Sequence, residues 1–271
     1  MEPMSKKRPY SAPSIQEVSR VHLVSMLMET RAEEAANMRI DSGATSVFDF
    51  RLSNVIRDVV LRRGSARQLS ELFQRDALYP NPYALVTFII GNHDTKHFMG
   101  EPDVTPERLK VALSLLMTVR GIPEIYAGDE IGMPGGDDPD NRQDFRGGFA
   151  GDLHNAFTSA GRTPQEQDIL HHFKKLSDLG REHPALRGGR QWDLAAGDRY
   201  LVFVRENGND VLLVLFNNSL DKREVDLKLA DTPLENIQTI LPILGAGTPI
   251  LQNKVLKIQA MPNTVLIFQV K

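Results

Sequence analysis

The run Leu-Val-Thr-Phe-Ile-Ile at residues 85–90 most constrains the fold of this chain. It is unbroken and apolar, it contains several β-branched side chains, and it ends in Gly-Asn-His-Asp at residues 91–94. A strand without polar alternation has both faces buried, as in parallel sheets that are covered by helices. The sequence therefore predicts a buried parallel strand with polar groups at its carboxyl end, where α/β folds place their sites.

Strand-like and helix-like segments alternate along residues 46–181. Strands are predicted at 46–50, 85–90 and 122–127, and helices at 52–62, 66–75, 105–121 and 163–181. The last two helices begin with Thr-Pro, in which the threonine caps the helix and the proline occupies its first turn. This alternation predicts parallel strands that are joined by right-handed crossover helices.

The segments on either side of residues 46–183 have a different character. Residues 1–45 are predicted to form a loose tail and an added helix at 14–36, which begins at a Ser-x-x-Glu capping box. Residues 184–271 are predicted to form an antiparallel β-sandwich domain. Its strands are predicted at 200–205, 211–216, 223–229, 255–259 and 264–270, with a hairpin turn of sequence Asn-Gly-Asn-Asp between the first two.

Composition excludes several classes of function. The 271-residue chain has no cysteine, so disulfides, thiolate metal sites and thiol nucleophiles are excluded. Its net charge of -3 gives no electrostatic case for nucleic-acid binding. No run of 18 apolar residues predicts a membrane span, and no signal peptide is recognised, so we expect a cytoplasmic protein.

Five segments carry a resemblance to a known enzyme family. They are VFDF at 47–50, FIIGNHD at 88–94, RGIPEIYAGDEIG at 120–132, GGDDPDNR at 135–142 and AFTSAGRTPQEQD at 156–168. Their order and spacing resemble glycoside hydrolase family 13, the α-amylase family, and especially its neopullulanase and cyclomaltodextrinase branch. The resemblance covers about residues 40–190, and the β-domain that follows is similar to the small C-terminal domain of that family.

The resemblance implies a (β/α)8 TIM-type barrel that hydrolyses or transfers α-glucosidic bonds with retention of configuration. It implies that Asp94 stabilises the transition state and that His93 and Asn92 contact substrate. Asp138 and Arg142 would hold the neighbouring glucose units. The implied ligand is an α-glucan or a maltooligosaccharide, and no cofactor is implied.

The family's nucleophilic aspartate and its proton-donating glutamate are not found within the sequence motifs that normally contain them. Arg39-Ile40-Asp41 has the Arg-x-Asp spacing of the nucleophile, but it lies too close to the strand at 46–50 to leave room for a glutamate strand. The alternative interpretation is a turn aspartate before a strand. By this reasoning the chain contains the last three βα units of the barrel, and the open sheet is expected to be covered by the helix at 14–36, by a second copy in a homodimer, or by both.

Several alternatives stay open at this point. The chain is either an α-glucan-acting hydrolase or a truncated remnant of one, a noncatalytic α-glucan-binding module, or a structural fragment that needs a partner. Asp138 and Arg142 either bind sugar or form an ion pair within their loop, and the acidic residues at 137–140 with Asn141 suggest calcium as an alternative. Asp129 and Glu130 are expected to stabilise loop backbone. Trp192 is expected to pack between the two domains, with sugar stacking as the alternative.

Overall fold

A computed structural model describes residues 24–25, 46–79, 81–88 and 91–271. The strands of its α/β part are β1 (Val24–Ser25), β2 (Ser46–Val47), β3 (Val86–Phe88) and β4 (Ile122–Glu124). The helices of this part are α1 (Phe50–Val60), α2 (Arg67–Phe73), α3 (Pro106–Leu116) and α4 (Pro164–Glu182). No helix within the described ranges is long and apolar enough to cross a membrane.

The strands of the α/β part run parallel and follow one another in chain order. β1 pairs with β2, and β3 pairs with β4. A parallel bridge between Phe48 and Val86 links the two pairs. The predicted alternation of strand and helix is therefore confirmed, and the carboxyl ends of β3 and β4 lie side by side at one edge.

The strand β1 corrects the prediction of a helix at residues 14–36. That prediction is wrong at Val24–Ser25, which pair with Ser46–Val47 as a strand. The apolar residues in this segment fit either period, and the pairing with β2 decides between them. The parallel strands therefore number four among the described residues, rather than three, and they begin before the predicted domain start at residue 46. The rest of the predicted helix and the Arg39–Asp41 segment lie outside the described residues.

Side-chain caps fix where the helices begin. Asp49 accepts a hydrogen bond from the Leu52 backbone at 2.9 Å and opens α1, so the predicted strand at 46–50 ends earlier than expected. At α4 the predicted capping box is confirmed, because Thr163 and Glu166 exchange side-chain to backbone hydrogen bonds. Such caps satisfy amide groups that the first helical turn leaves without partners.

The β-rich part consists of two antiparallel sheets. Its strands are β5 (Arg190–Ala196), β6 (Tyr200–Asn207), β7 (Asp210–Asn217), β8 (Arg223–Lys228), β9 (Ile240–Leu244), β10 (Pro249–Gln252), β11 (Val255–Ala260) and β12 (Thr264–Val270). One sheet has the order β5-β6-β7-β12-β9, and the other has the order β10-β11-β8. The strands β5, β9 and β10 were not predicted.

The five-stranded sheet is buried on both faces. One face packs against the three-stranded sheet, with Val202, Val204, Leu213, Leu215, Leu266 and Phe268 in this cluster. The opposite face joins the core of the helices, with Leu201, Phe203, Leu212, Val214, Phe216 and Ile267 in that cluster. The α/β part and the β-rich part therefore share one continuous apolar core.

Trp192 lies on β5 and packs against the cluster between the two β-sheets. Its indole N–H donates to Glu206 Oε2 at 2.9 Å, and the Arg190 guanidinium lies 4.2 Å from the ring centroid. The prediction that Trp192 packs between the two domains is therefore wrong. The side chain is partly buried and packs on the core of the β-rich part.

Candidate functional site

The turn at residues 91–95, the next described segment after β3, forms the centre of the candidate site. Asn92 is buried, and its Oδ1 accepts hydrogen bonds from the Asp94 backbone at 2.9 Å and from Thr95 Oγ1 at 3.0 Å. These bonds hold the turn in shape and occupy the carboxamide oxygen. Asn92 was predicted to contact substrate, but the structure places it beneath the surface, as a support for Asp94.

Asn141 clamps this turn from the loop that follows β4. Its side chain is buried, and Nδ2 lies 3.2 Å from the His93 carbonyl and 3.0 Å from the Thr95 carbonyl. Sequence reasoning assigned Asn141 only to an alternative calcium site. The useful signal was its place in the GGDDPDNR segment, immediately before Arg142.

Four of the predicted site residues converge at the surface of the turn. Arg142 Nε donates to the His93 carbonyl at 2.9 Å and lies 3.3 Å from Asp138 Oδ1, while Nη2 lies 4.0 Å from Asp94 Oδ1. His93 Nε2 lies 3.4 Å from Asp94 Oδ2. All four side chains remain open to solvent, so a ligand can reach them. We call His93, Asp94, Asp138 and Arg142 the Asp94 cluster.

Glu124 brings a further carboxyl group near the Asp94 cluster. It ends β4 beside Phe88 of β3, and its Oε2 is buried without a hydrogen bond to any described residue. Burial raises the pKa of Glu124, and the nearby charge of His93 opposes that rise. Sequence reasoning gave Glu124 no function, although a glutamate within the apolar run IPEIYA is itself an unusual feature.

A buried histidine–aspartate pair lies under the turn. His97 Nδ1 is 2.8 Å from Asp129 Oδ1, and both side chains are almost fully buried. Burial raises the pKa of Asp129 to about 6, and the hydrogen bond with His97 opposes this rise. A side chain at Gly91 would approach Asp129 Oδ2 to 2.6 Å, and one at Gly135 would approach His97 to 2.5 Å. The pair therefore supports both the turn and the loop that clamps it.

The acidic residues of the clamping loop have separate partners. Asp137 pairs with Lys96, Asp138 pairs with Arg142, and Asp140 accepts a hydrogen bond from the Gly136 backbone. Within the described residues, no group of three or more potential ligands among His, Asp and Glu is placed to hold a metal ion. Calcium binding here thus stays a prediction without support from this geometry. Glu130 accepts a hydrogen bond from the Gly128 backbone at 2.7 Å, as expected of a loop-stabilising residue.

Comparison with known families places most of this chain within a single family. A family model described as the alpha amylase catalytic domain matches residues 31–208 of this chain. The chain belongs to the α-amylase family. The resemblance that was inferred from the five sequence segments is therefore confirmed.

Individual members of the α-amylase family match over most of this chain. The beta/alpha-amylase of Paenibacillus polymyxa is 28% identical over 230 residues, which are 82% of this chain and 18% of that protein. The cyclomaltodextrin glucanotransferase of Geobacillus stearothermophilus is 33% identical over 199 residues, or 71% of this chain and 25% of that protein. The chain therefore spans about a fifth to a quarter of the length of these curated relatives.

A solved α-amylase shares the arrangement of both parts of the molecule. The alpha-amylase of Geobacillus thermoleovorans, determined in complex with acarbose, superposes with a TM-score of 0.76 at 25% sequence identity. The match covers 92% of this chain and 53% of that chain. The α/β part and the β-rich part of this chain thus have the relative placement found in an α-amylase-family enzyme.

Proposed function

We propose that this chain acts on α-glucans as part of an α-amylase-type glycoside hydrolase, with the Asp94 cluster as its sugar-contacting surface. The observation that carries the proposal is the convergence of Asp94, Asp138 and Arg142 on the turn after β3. Asp94 lies 48 positions before Arg142 in the sequence, so local structure alone does not bring these two side chains together.

The chemistry of the Asp94 cluster suits a neutral sugar. An ionised carboxylate accepts hydrogen bonds from two hydroxyl groups at once, and a guanidinium donates several in a fixed plane. Hydrogen bonds to charged groups are stronger than those between neutral groups. As positive charge develops on the sugar during bond cleavage, the Asp94 carboxylate would stabilise it. His93 would donate to a further hydroxyl group.

In this proposal Glu124 supplies a carboxylic acid near the Asp94 cluster that can act as a proton donor. Its burial favours the neutral acid, which is the form that a proton donor needs. Retaining glycosidases require two carboxyl groups, one as acid and one as nucleophile. Glu124 is a candidate for the acid on the grounds of its position at the end of β4 and its raised pKa. No described residue is assigned as the nucleophile.

The described strands fit an incomplete barrel. Among the described strands β4 pairs only with β3, and Ile122 on β4 is exposed. We propose that further parallel strands complete a (β/α)8 barrel beside this edge and that the two antiparallel sheets form the β-sandwich that follows it. A second copy of the chain is an alternative cover for the same edge, so a homodimer stays a prediction.

Calorimetry with maltotriose tests sugar binding by the Asp94 cluster. We expect the wild type to bind and Arg142→Ala and Asp94→Asn to weaken binding about tenfold or more, because each removes charge-assisted hydrogen bonds. Asp178 and Arg181 form an exposed ion pair on α4, far from the turn in sequence. Asp178→Asn and Arg181→Ala are matched controls and should bind like the wild type. No heat with millimolar maltotriose would contradict the proposal.

Hydrolysis of p-nitrophenyl maltoside separates the enzyme from its alternatives. If the chain is catalytic, Asp94→Asn loses turnover. Glu124→Gln lowers turnover, and the remaining activity no longer falls at high pH, because that fall reports deprotonation of the acid. Binding without turnover in the wild type would instead assign a noncatalytic α-glucan-binding module. Absence of both, together with self-association in light scattering, would assign a structural fragment that needs a partner.

A further inference from the structure

The loop between Arg142 and α4 exposes large apolar side chains. Phe149 and Phe157 are 66% and 63% exposed, and Leu153 is fully exposed. Exposed apolar residues are ordinary on protein surfaces, so the informative one is the side chain that also lines a cavity, which is Phe157. The aromatic residues of this loop are not used by the Asp94 cluster, so their exposure needs a separate explanation.

A cavity of about 410 Å³ lies against this loop. Its lining is mostly apolar and includes Phe145 and Phe157, and its two polar residues are Glu130 and Arg162. The rings of Phe145 and Phe157 pack with their centroids 4.6 Å apart at an angle of 46°. Small-molecule sites have this character, since they combine aromatic and apolar walls with a few placed polar groups.

The two polar residues of the cavity are held in place by the protein. Arg162 Nε donates to Gln167 Oε1 at 2.8 Å, and Nη1 donates to the Ala156 carbonyl at 2.7 Å. These bonds leave Nη2 without a hydrogen bond to any described residue. Glu130 Oε2 accepts from the Gly128 backbone, and Oε1 has no such bond within the described ranges. The cavity thus offers one donor and one acceptor beside two aromatic rings.

We propose that this cavity binds a glucose unit of the α-glucan held by the Asp94 cluster. A pyranose ring has apolar C–H faces that pack on aromatic rings, and its hydroxyl groups both donate and accept hydrogen bonds. The assignment of the cavity ligand rests on the proposed function of the Asp94 cluster. It adds a second contact region, formed by Phe145, Phe157, Glu130 and Arg162.

The position of the cavity fits one continuous ligand. Phe145 follows Arg142 by three residues, and three residues span at most about 11 Å. A chain of several glucose units that contacts Arg142 can therefore extend along this loop toward Phe145 and Phe157. An apolar protein partner fits less well, because stable interfaces bury about 800 Å² on each side, and this cavity carries fixed polar groups suited to hydroxyls.

Calorimetry with maltose and maltohexaose tests this proposal. We expect Phe157→Ala to weaken maltohexaose binding about tenfold, by loss of ring contact, and to leave maltose binding unchanged, since maltose is too short to occupy both regions. Phe149→Ala is the matched control, because Phe149 is equally exposed on the same loop and does not line the cavity. Circular dichroism verifies that both variants fold.

The outcomes separate the two proposals. If the wild type binds maltohexaose and Phe157→Ala binds it as well as Phe149→Ala does, the cavity assignment fails while the Asp94 cluster stands. If the wild type binds neither sugar, the proposed function fails and the cavity assignment fails with it. If Phe157→Ala changes only the mass measured by light scattering, the cavity is a contact between copies, which also overturns the assignment.

Discussion

The carboxamide of Asn141 ties together two loops that lie far apart in the sequence. Its nitrogen donates to carbonyl groups of the turn that presents Asp94, while its oxygen is buried without a hydrogen bond to a described residue. An unsatisfied buried acceptor costs about 1–3 kcal/mol. The protein therefore tolerates a local cost where it fixes the Asp94 cluster.

The raised pKa of Asp129 predicts that the stability of the protein depends on pH. This pKa is raised by burial to about 6, above the ordinary value of about 4 for an aspartate. The folded state thus binds more protons than the unfolded state in this interval, so the contribution of Asp129 to stability is present at lower pH and is lost as pH rises toward 6. We expect Asp129→Asn, which keeps an acceptor for His97, to remove this decline in urea unfolding experiments between pH 4 and 6.

The change of the free energy of unfolding with pH, compared between variants, separates the effect of Asp129 from that of other titrating groups. Asp178→Asn on the exposed face of α4 is the control, and its stability should follow the wild-type pH profile. An Asp129→Asn profile parallel to that of the wild type would show that Asp129 titrates at an ordinary pKa in the folded protein.

Individual site residues could be predicted from the sequence to differing degrees. Asp94, His93, Asp138 and Arg142 were found because they stand in recognisable segments, and the structure brings them together. The supporting roles of Asn92 and Asn141 could not be found this way, since a polar residue in a motif looks the same whether it faces ligand or backbone. Only the three-dimensional contact decides between these roles.

At the scale of elements, Arg120 joins segments that the chain order keeps apart. Its guanidinium is buried and pairs with Asp49 at the start of α1 at 2.8 Å and with Asp76 at 2.7 Å. Its backbone N–H donates to Gln191 on β5 at 2.8 Å. Both carboxylates raise the pKa of Arg120 against the opposing effect of burial. Arg120, which lies two residues before β4, therefore links the parallel sheet to α1 and to the β-rich part.

Removal of Arg120 should strongly destabilise the protein. Arg120→Ala leaves two carboxylates without their cation, and breaking a buried pair in this way costs about 3–5 kcal/mol. Urea unfolding followed by circular dichroism measures the loss. Arg181→Ala breaks an exposed pair on α4 and should cost less than about 1 kcal/mol. Equal losses in the two variants would contradict a special role for Arg120.

Elements were predictable where one pattern dominated. The helices α1, α3 and α4 and the strands β6, β7 and β12 have clear periodicity or continuous apolar runs. The strand β10 was missed because it lies at a sheet edge and its residues are largely exposed. Its sequence therefore does not alternate between apolar and polar residues. The two-residue strand β1 was missed because partners distant in sequence, rather than its own residues, define it as a strand.

At the scale of the whole molecule, the shared core predicts unfolding in one step. The five-stranded sheet contributes one face to the core of the helices and the other to the core of the β-rich part. Neither part can lose its structure without exposing apolar surface of the other, which costs about 25 cal/mol for each Å². We expect the α/β part and the β-rich part to unfold together.

Two spectroscopic probes test this cooperativity. Trp192 is the only tryptophan of the chain, and its fluorescence reports on the β-rich part, while circular dichroism at helical wavelengths reports on α1 to α4. The two urea transitions should coincide. Separate midpoints would mean that the parts unfold independently despite their common core.

Because the five-stranded sheet is buried on both faces, its apolar pattern does not by itself exclude a shifted pairing of its strands. When one face of a sheet meets water, a one-residue slip exposes apolar side chains and is rejected. In β6 and β7 a one-residue slip would move apolar side chains from one apolar core to the other without exposing them to water. Arg205 on β6 distinguishes them, because its guanidinium donates to the Thr118 carbonyl at 2.8 Å and the Gly189 carbonyl at 3.1 Å on the helical side. A slipped β6 would turn this cation toward the other apolar core, so Arg205 penalises the wrong alignment.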